Sequence, residues 1–370
     1  YTHINIMHNN VTYINQIIDQ TLCFCKGLKK DDAMNNRTKV TDLFSREEIK
    51  MLTTKSDLMG AWAVGSTWAV IGATFAGVAW AWPQVGITGK LLVGILALII
   101  LGGRQLALGI ITHDASHSTL FKTQWLNDHL VDWLCARPVW NTLHHYRPYH
   151  LRHHAKTSTP DDPDLSLVAG LPTTQRSLIR KFARDISGLT GIKFVVGRIL
   201  MDLSLIEWTV TNEIKRIPQA GRKWWNYPLI FIKNSGPAII TNALIFALMW
   251  ASGHPWLYAL WLLAYVTPFP LFIRIRSMAE HAATEKTTDV LKNTRSTQAG
   301  YIARALVAPI NVNFHIEHHL MASVPYFRLP RMHNMLLERG YVKTPPTYFE
   351  VFKLMSSKSP ASSTVSTSNH

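Results

Sequence analysis

GAWAVGSTWAVIGATFAGVAWAW, residues 60–82, runs for 23 residues without a charged side chain. At 1.5 Å per residue a helix of that length extends about 34 Å, enough to cross the ~30 Å hydrocarbon layer of a bilayer. Outward from it, residues 91–111 form a second apolar stretch, interrupted only by Arg104 and Gln105 near its far end. Residues 228–250 form a third, with Lys233 near its start. Residues 256–275 form a fourth, with Pro268 and Pro270 placed to kink it and Arg274 at its inner edge. Trp80, Trp82, Trp250, Trp256 and Tyr258 stand at the edges of these stretches, where amphipathic rings favour the membrane–water boundary. The pattern predicts an all-α integral membrane protein with four transmembrane helices and a cytosolic helical cap that carries a histidine-rich di-metal site.

Composition agrees. Of 370 residues 47% are hydrophobic and only 16% charged, below the ~25% of soluble domains. The three cysteines, Cys23, Cys25 and Cys135, are too few and too poorly spaced for a disulfide framework or a thiolate metal site. Lys and Arg number 38 against 23 Asp and Glu, a balance of +15. Such a balance suits a nucleic-acid binder or a membrane protein with a basic inner face, and position decides between them. The short links 83–89 and 251–255 hold no Lys or Arg, whereas residues 1–59 hold eight and residues 112–227 hold fifteen. The positive-inside rule then puts the polar segments and both termini in the cytosol. The basic charge meets anionic membrane lipid, and no nucleic-acid partner is expected.

Residues 186–210 are fairly apolar but include Lys193, Arg198, Asp202 and Glu207. Four charges in hydrocarbon are costly, so this segment is expected to be an amphipathic helix lying in the interface. Residues 1–59 read as a cytosolic arm without a signal-peptide run, with a start expected upstream because Tyr1 is not Met. Ser45-Arg-Glu-Glu48 marks a capped helix start within it. The remainder divides into a histidine-bearing membrane domain (60–330), a cytosolic C-terminal segment (331–355) and a Ser-rich, disordered tail (356–370).

The chain holds 17 histidines, and their spacing carries the functional reading. His113-Asp-Ala-Ser-His117 follows the inner end of the second stretch; its offset of four puts both imidazoles on one helix face. His150-Leu-Arg-His153-His154 and His315-Ile-Glu-His318-His319 repeat offsets of three and four, so each set is expected to share a face. His281, beside Glu280, follows the inner end of the fourth stretch. With four spans all nine imidazoles emerge on one side; three or five spans would strand some of them across the bilayer. Imidazole suits Fe, Zn, Cu and Ni. Nine ligands are too many for one zinc, which takes four or fewer, and suit two metals with four or five each. Asp114, Glu280 and Glu317 are placed to accept hydrogen bonds that orient the imidazoles. His144 and His145 read as neighbours or surface residues, and His129 and His254 as ordinary interfacial ones.

Boxes of the HxxxH, HxxHH and HxxHH type with paired apolar spans resemble the membrane fatty acid desaturase and hydroxylase superfamily. The resemblance covers about residues 60–330, and His153-His-Ala-Lys-Thr157 leading to Asp162-Pro-Asp164 also looks like the sequence after the second box in many bacterial members. It implies that His113, His117, His150, His153, His154, His281, His315, His318 and His319 hold two iron ions, cycling between Fe2+ and Fe3+. It further implies O2 as oxidant, an external electron donor such as a ferredoxin or a cytochrome with its reductase, and a fatty acyl substrate borne on lipid, CoA or a carrier. The iron pair is then the catalytic centre, with no separate acid or base. The third box begins with His315 where front-end desaturases carry Gln, and no His-Pro-Gly-Gly haem motif occurs. Acyl-CoA desaturases place a water-holding Asn four residues before the additional histidine; Ser277 stands there, leaving Asn311 or Asn313 as candidates. Arg147, Arg152 and Lys156 are placed either to dock an acidic donor or carrier or to face lipid.

An acyl desaturase is the leading reading. A hydroxylase or ketolase of the same superfamily, acting on an alkane, carotenoid or lipid, is the nearest alternative. A metal-regulated transporter would need polar residues within the spans and inverted repeats; the spans show few of the former and the chain no repeat. A zinc-dependent membrane hydrolase is separated by metal content.

Overall fold

A computed structural model describes residues 38–208 and 214–357. Cys23, Cys25 and the arm through residue 37, and the tail from residue 358, lie outside the described residues. The principal helices are α1 (Asp57–Ala81), α2 (Ile87–Ser116), α3 (Leu143–Lys156), α4 (Gln175–Ile186) and α5 (Leu189–Asp202), then α6 (Asn226–Ala251), α7 (Leu257–Val266), α8 (Pro268–His281), α9 (His315–Leu320), α10 (Leu329–Glu338) and α11 (Tyr348–Met355). Strands β1 (Ile206–Trp208) and β2 (Ile214–Arg216) pair antiparallel, with Ile206 opposite Arg216. Among the described residues the protein is all-α apart from this ribbon, and four helical stretches are long and apolar enough to cross a membrane.

α2 is the central helix. Ala97, Leu101, Leu108 and Ile111 pack with Ala63 and Ile71 of α1 and with Leu260 and Trp261 of α7. Gly102 permits a close approach to α8, because a Cβ there would stand 2.7 Å from Cγ of Pro268. The two polar residues that interrupt this stretch both have protein partners, which offsets the cost of removing them from water. Gln105 donates to the Trp261 carbonyl at 2.8 Å, and Arg104 donates to the carbonyl of Ala305. By contrast α1 and α6 present bare apolar side chains, among them Trp62, Val70, Ile240, Leu244 and Leu248, as lipid-facing helices do.

The two short links meet at one end, where the Trp82 and Trp256 rings lie 4.9 Å apart. The histidine-bearing ends of α2 and α8 lie at the other. α2 does not stop near residue 111 but continues to Ser116, so His113 is part of the helix. Hydropathy reports contact with hydrocarbon, whereas the hydrogen-bonded helix persists where its faces turn into protein. The fourth span breaks at Thr267 (φ −111°, ψ −83°) and restarts on Pro268. Proline needs no N–H partner at a helix start. The restarted helix runs to His281, past the expected end at 275.

The segment 186–210 is not a single helix. Gly188, at φ +86°, separates α4 from α5, and α5 ends at Asp202; Thr209 and Val210 lie outside the described residues. Asp202 is buried and accepts hydrogen bonds from Ser235 of α6 (2.6 Å), Trp140 (3.1 Å) and Arg198 (3.1 Å). A carboxylate so engaged pins α5 to α6, leaving the amphipathic character to α4 and the outer side of α5, where Ile179, Ile186, Leu189, Ile192 and Val196 are exposed.

Ser45 forms a capping box with Glu48 at the start of helix Arg46–Leu52. Leu43, Phe44 and Leu52 pack with Leu329, Met332 and Leu336 of α10 and with Leu320 of α9. Arg339 closes this small core by bonding Glu48 and the Leu43 carbonyl, both at 2.5 Å. The residues before the first span and those after the third box therefore brace the same helix.

Candidate metal centre

Two groups of imidazoles converge. In the first, His113, His117, His150, His154 and His318 each offer one ring nitrogen, all within 4.8 Å of one another; in the second, His153, His281, His315 and His319 do the same. All nine sequence-predicted histidines are accounted for. The groups are adjacent, with the His154 and His319 rings stacked 4.1 Å apart. The members of a box do not all share a face as expected. His150 and His154 enter the first group while His153 enters the second, and His315 and His319 enter the second while His318 enters the first. At 3.6 residues per turn, adjacent residues diverge by about 100°. Each HxxHH box therefore serves both groups.

The donor atoms suit cations. Nε2 of His154 lies 3.0 Å from Nε2 of both His150 and His318, and Nε2 of His315 lies 2.8 Å from that of His281. Neutral imidazoles can share such contacts only where one nitrogen carries the proton, and three nitrogens cannot all be satisfied that way. Nε2 of His113, His117 and His319 is buried without a partner, as is Nδ1 of His315. Unpaired buried acceptors are expensive, and a metal ion among them would use those lone pairs. Burial also keeps the rings unprotonated. It pulls His117 down to about 4, helped by the charge of Arg147, and His154 to about 2. His150, His315, His318 and His319 are lowered for the same reason. His153 is the exception. Burial opposes its proton, yet the hydrogen bond it donates to Asp162 and the charge of Asp164 raise it above the usual imidazole value.

The neighbouring polar groups divide. Asp114 Oδ1 lies 2.8 Å from Nδ1 of His113. Glu280 accepts from Arg276 at 2.8 Å, and its other oxygen lies 3.6 Å from Nε2 of His315. Glu317 touches none of the nine imidazoles: its oxygens meet Nδ1 of His333 and the hydroxyl of Ser296, each at 2.6 Å. The Ser296 hydroxyl also accepts the Ile316 N–H at 2.9 Å. Glu317 thus fastens α9 through His333 and Ser296 and orients none of the nine imidazoles. Asn311 donates to the Tyr326 carbonyl and Asn313 to that of Thr297, so neither side-chain amide points its donors at the cluster.

Sequence reasoning missed Asp162, whose Oδ1 lies 2.7 Å from Nδ1 of His153, and Thr157, whose hydroxyl lies 3.3 Å from Nδ1 of His319. The Asp-Pro-Asp stretch beside the second box was the available signal. Arg147 is not free to dock a partner. It donates to the Ala115 and Ser116 carbonyls and to Asp128, closing the C-terminus of α2. Arg152 is exposed, and Lys156 lies 3.9 Å from Asp161. His144, His145 and His129 are exposed.

A cavity of about 490 Å³ opens on this cluster. His150, His153, His281 and His315 form one wall, and Leu106, Ile110, Val139, Tyr265, Phe269 and Ile273 form much of the rest; Ser277, Arg276 and Glu280 also reach it.

A helical protein whose paired imidazole groups open on a partly apolar cavity can hold metal beside a space that accepts apolar groups. Residues 89–352 match the family model for fatty acid desaturases, and the chain belongs to that family. It is similar to the dihydrorhizobitoxine desaturase of Bradyrhizobium elkanii, 25% identical over 328 residues that cover 84% of this chain and 85% of that one. It is also similar to the sn-1 oleoyl-lipid 12-desaturase of Synechocystis sp. (strain ATCC 27184 / PCC 6803 / Kazusa), 24% identical over 266 residues, or 70% of this chain and 68% of that one. The protein is an oxidoreductase of the desaturase type.

Proposed function

We propose that the chain is an O2-dependent fatty acyl desaturase that inserts a double bond into an acyl chain. It would use two irons, one held by His113, His117, His150, His154 and His318 and the other by His153, His281, His315 and His319. The observation that carries the reading is the cavity wall, where members of both imidazole groups face apolar side chains across a space suited to an acyl segment. When bound, iron supplies the oxygen activation that removal of hydrogen from an unactivated C–H bond requires. The protein's own residues do the remaining work. Leu106, Phe269 and Ile273 take up methylenes and exclude water. Tyr265 satisfies its hydroxyl on the Val139 carbonyl (3.2 Å), leaving its ring as wall. Asp114 and Asp162 hold Nδ1 of His113 and His153, leaving Nε2 as the nitrogen of each ring that would bind a metal. Substrate placement to within about an ångström governs which carbon reacts. An external electron donor serves the centre, and both termini and the histidine-bearing ends of the spans face the cytosol, a reading supported by the distribution of Lys and Arg.

Lipid profiling by mass spectrometry, in a host with and without the gene, tests this. An acyl product lacking two hydrogens is expected; a product with one added oxygen would assign the hydroxylase chemistry instead. Freshly purified active protein is expected to carry two irons per chain, and a single zinc with no iron would overturn the reading.

A further inference from the structure

Arg104 is a cation within a membrane-crossing helix, and the metal centre makes no use of it. α2 starts at Ile87, so Arg104 lies about 26 Å along the helix. That depth is close to the histidine-side edge of a ~30 Å hydrocarbon layer. The side chain is half-buried, and it donates to the carbonyl of Ala305. Among the described residues it forms no ion pair. A charge at this depth is costly and marks a functional site, with a partner to be named.

The carbonyl belongs to the short helix Tyr301–Leu306, which lies against α2. Gly103 permits the contact: a Cβ there would stand 2.9 Å from the Ala305 carbonyl oxygen and 3.0 Å from Cα of Leu306. The other side of this helix is bare, with Tyr301 95% and Ile302 78% exposed. Arg304, next to Ala305, is exposed too. It donates its Nε–H to the Ala299 carbonyl at 3.0 Å and, among the described residues, forms no ion pair. Two guanidinium groups therefore start from adjoining parts of one surface, without an acid to balance them. From Arg104 toward the bilayer centre, Ile100 and Leu96 stand one and two turns back on the same side of α2. Leu96 is exposed and Ile100 half-buried. Cations at the polar edge above a bare apolar track match the profile of a phospholipid, a phosphate above an acyl chain.

We propose that this surface binds one membrane phospholipid, its phosphate bridging Arg104 and Arg304 and an acyl chain lying along Ile100 and Leu96. Guanidinium groups hold phosphate oxygens through charge-assisted hydrogen bonds, and basic surfaces beside membrane helices recognise lipid heads in this way. The bound lipid is a structural component and not the substrate. Leu106 and Gly109, which line the histidine-walled cavity, leave α2 about 160° and 140° around the helix from Arg104. Bridging clamps the helix Tyr301–Leu306 onto α2, and His315 of the third box follows Leu306 by nine residues.

Native mass spectrometry of the full chain, stripped of lipid in a neutral detergent, tests the inference. The probes are dioleoylphosphatidylglycerol and dioleoylglycerol, which has the same chains and no phosphate. The wild type is expected to hold a phosphatidylglycerol molecule that Arg304→Gln weakens by about tenfold or more, and to bind dioleoylglycerol far less tightly. Arg104→Gln should show the same loss. If losing the bond to Ala305 prevents that variant from folding, Arg304→Gln, at an exposed position, decides alone. Lys90→Gln, near the opposite end of α2, controls for a general loss of membrane-facing charge and should match wild type. Wild-type affinity in Arg304→Gln overturns the proposal, as does equal binding of the two probes or an equal loss in Lys90→Gln.

Discussion

The two imidazole groups, which share the two HxxHH boxes, sit in unlike surroundings. The first has five rings and one close carboxylate, Asp114. The second has four rings and is flanked by Asp162, Asp164 and Glu280, with Arg276 against Glu280. Where ring count falls, acidic support rises. Metals bound in the two places would therefore differ in ligand basicity and local charge, which gives the pair an asymmetry that nine similar histidines conceal.

The harshest way to probe the comparison is to remove a ring from each group. His318→Ala and His153→Ala should each reduce turnover by more than the roughly 10- to 100-fold typical of losing a ligand's supporting partner, with iron content falling by one site and membrane insertion intact. Retention of most activity in either variant would break the ligand assignment.

Asp162→Asn sharpens the contrast. It should lower iron affinity at the second group by about 10- to 100-fold and leave the first group loaded, read as partial iron content and a matching loss in turnover. Equal loss from both groups would mean that the carboxylate serves the cluster as a whole.

Glu317→Gln, which loosens α9 from His333 and Ser296, should destabilise the protein by about 1–3 kcal/mol, seen as a lower melting temperature in detergent. Turnover at low temperature should fall less than for Asp162→Asn. His144→Ala, at an exposed position, should change stability by no more than about 0.5 kcal/mol and turnover by less than about twofold.

Much of this was legible in the chain. The four apolar stretches needed only length and charge count, and all nine converging histidines were named by spacing and by the side of the membrane they shared. Asp162 was not, because it returns to His153 only after α3 ends and the chain turns through residues 157–161, and hydrogen bonds across a turn leave no periodic trace. Glu317 was misread for the opposite reason. Its place inside a box suggested a partner to the rings, while α9 points it at α10 and Ser296. Arg147 looked like an available cation, yet the open carbonyls at the end of α2 had first claim on it.

Local sequence alone settled what helical periodicity and hydropathy can express: which stretches are long and apolar enough to cross a bilayer, and that each histidine box lies on or at the end of a helix. The allotment of rings to two centres was decided by tertiary packing. Neighbours such as His153 and His154 leave their helix about 100° apart, and only the positions of α2, α8 and α9 around α3 determine which partners each one meets.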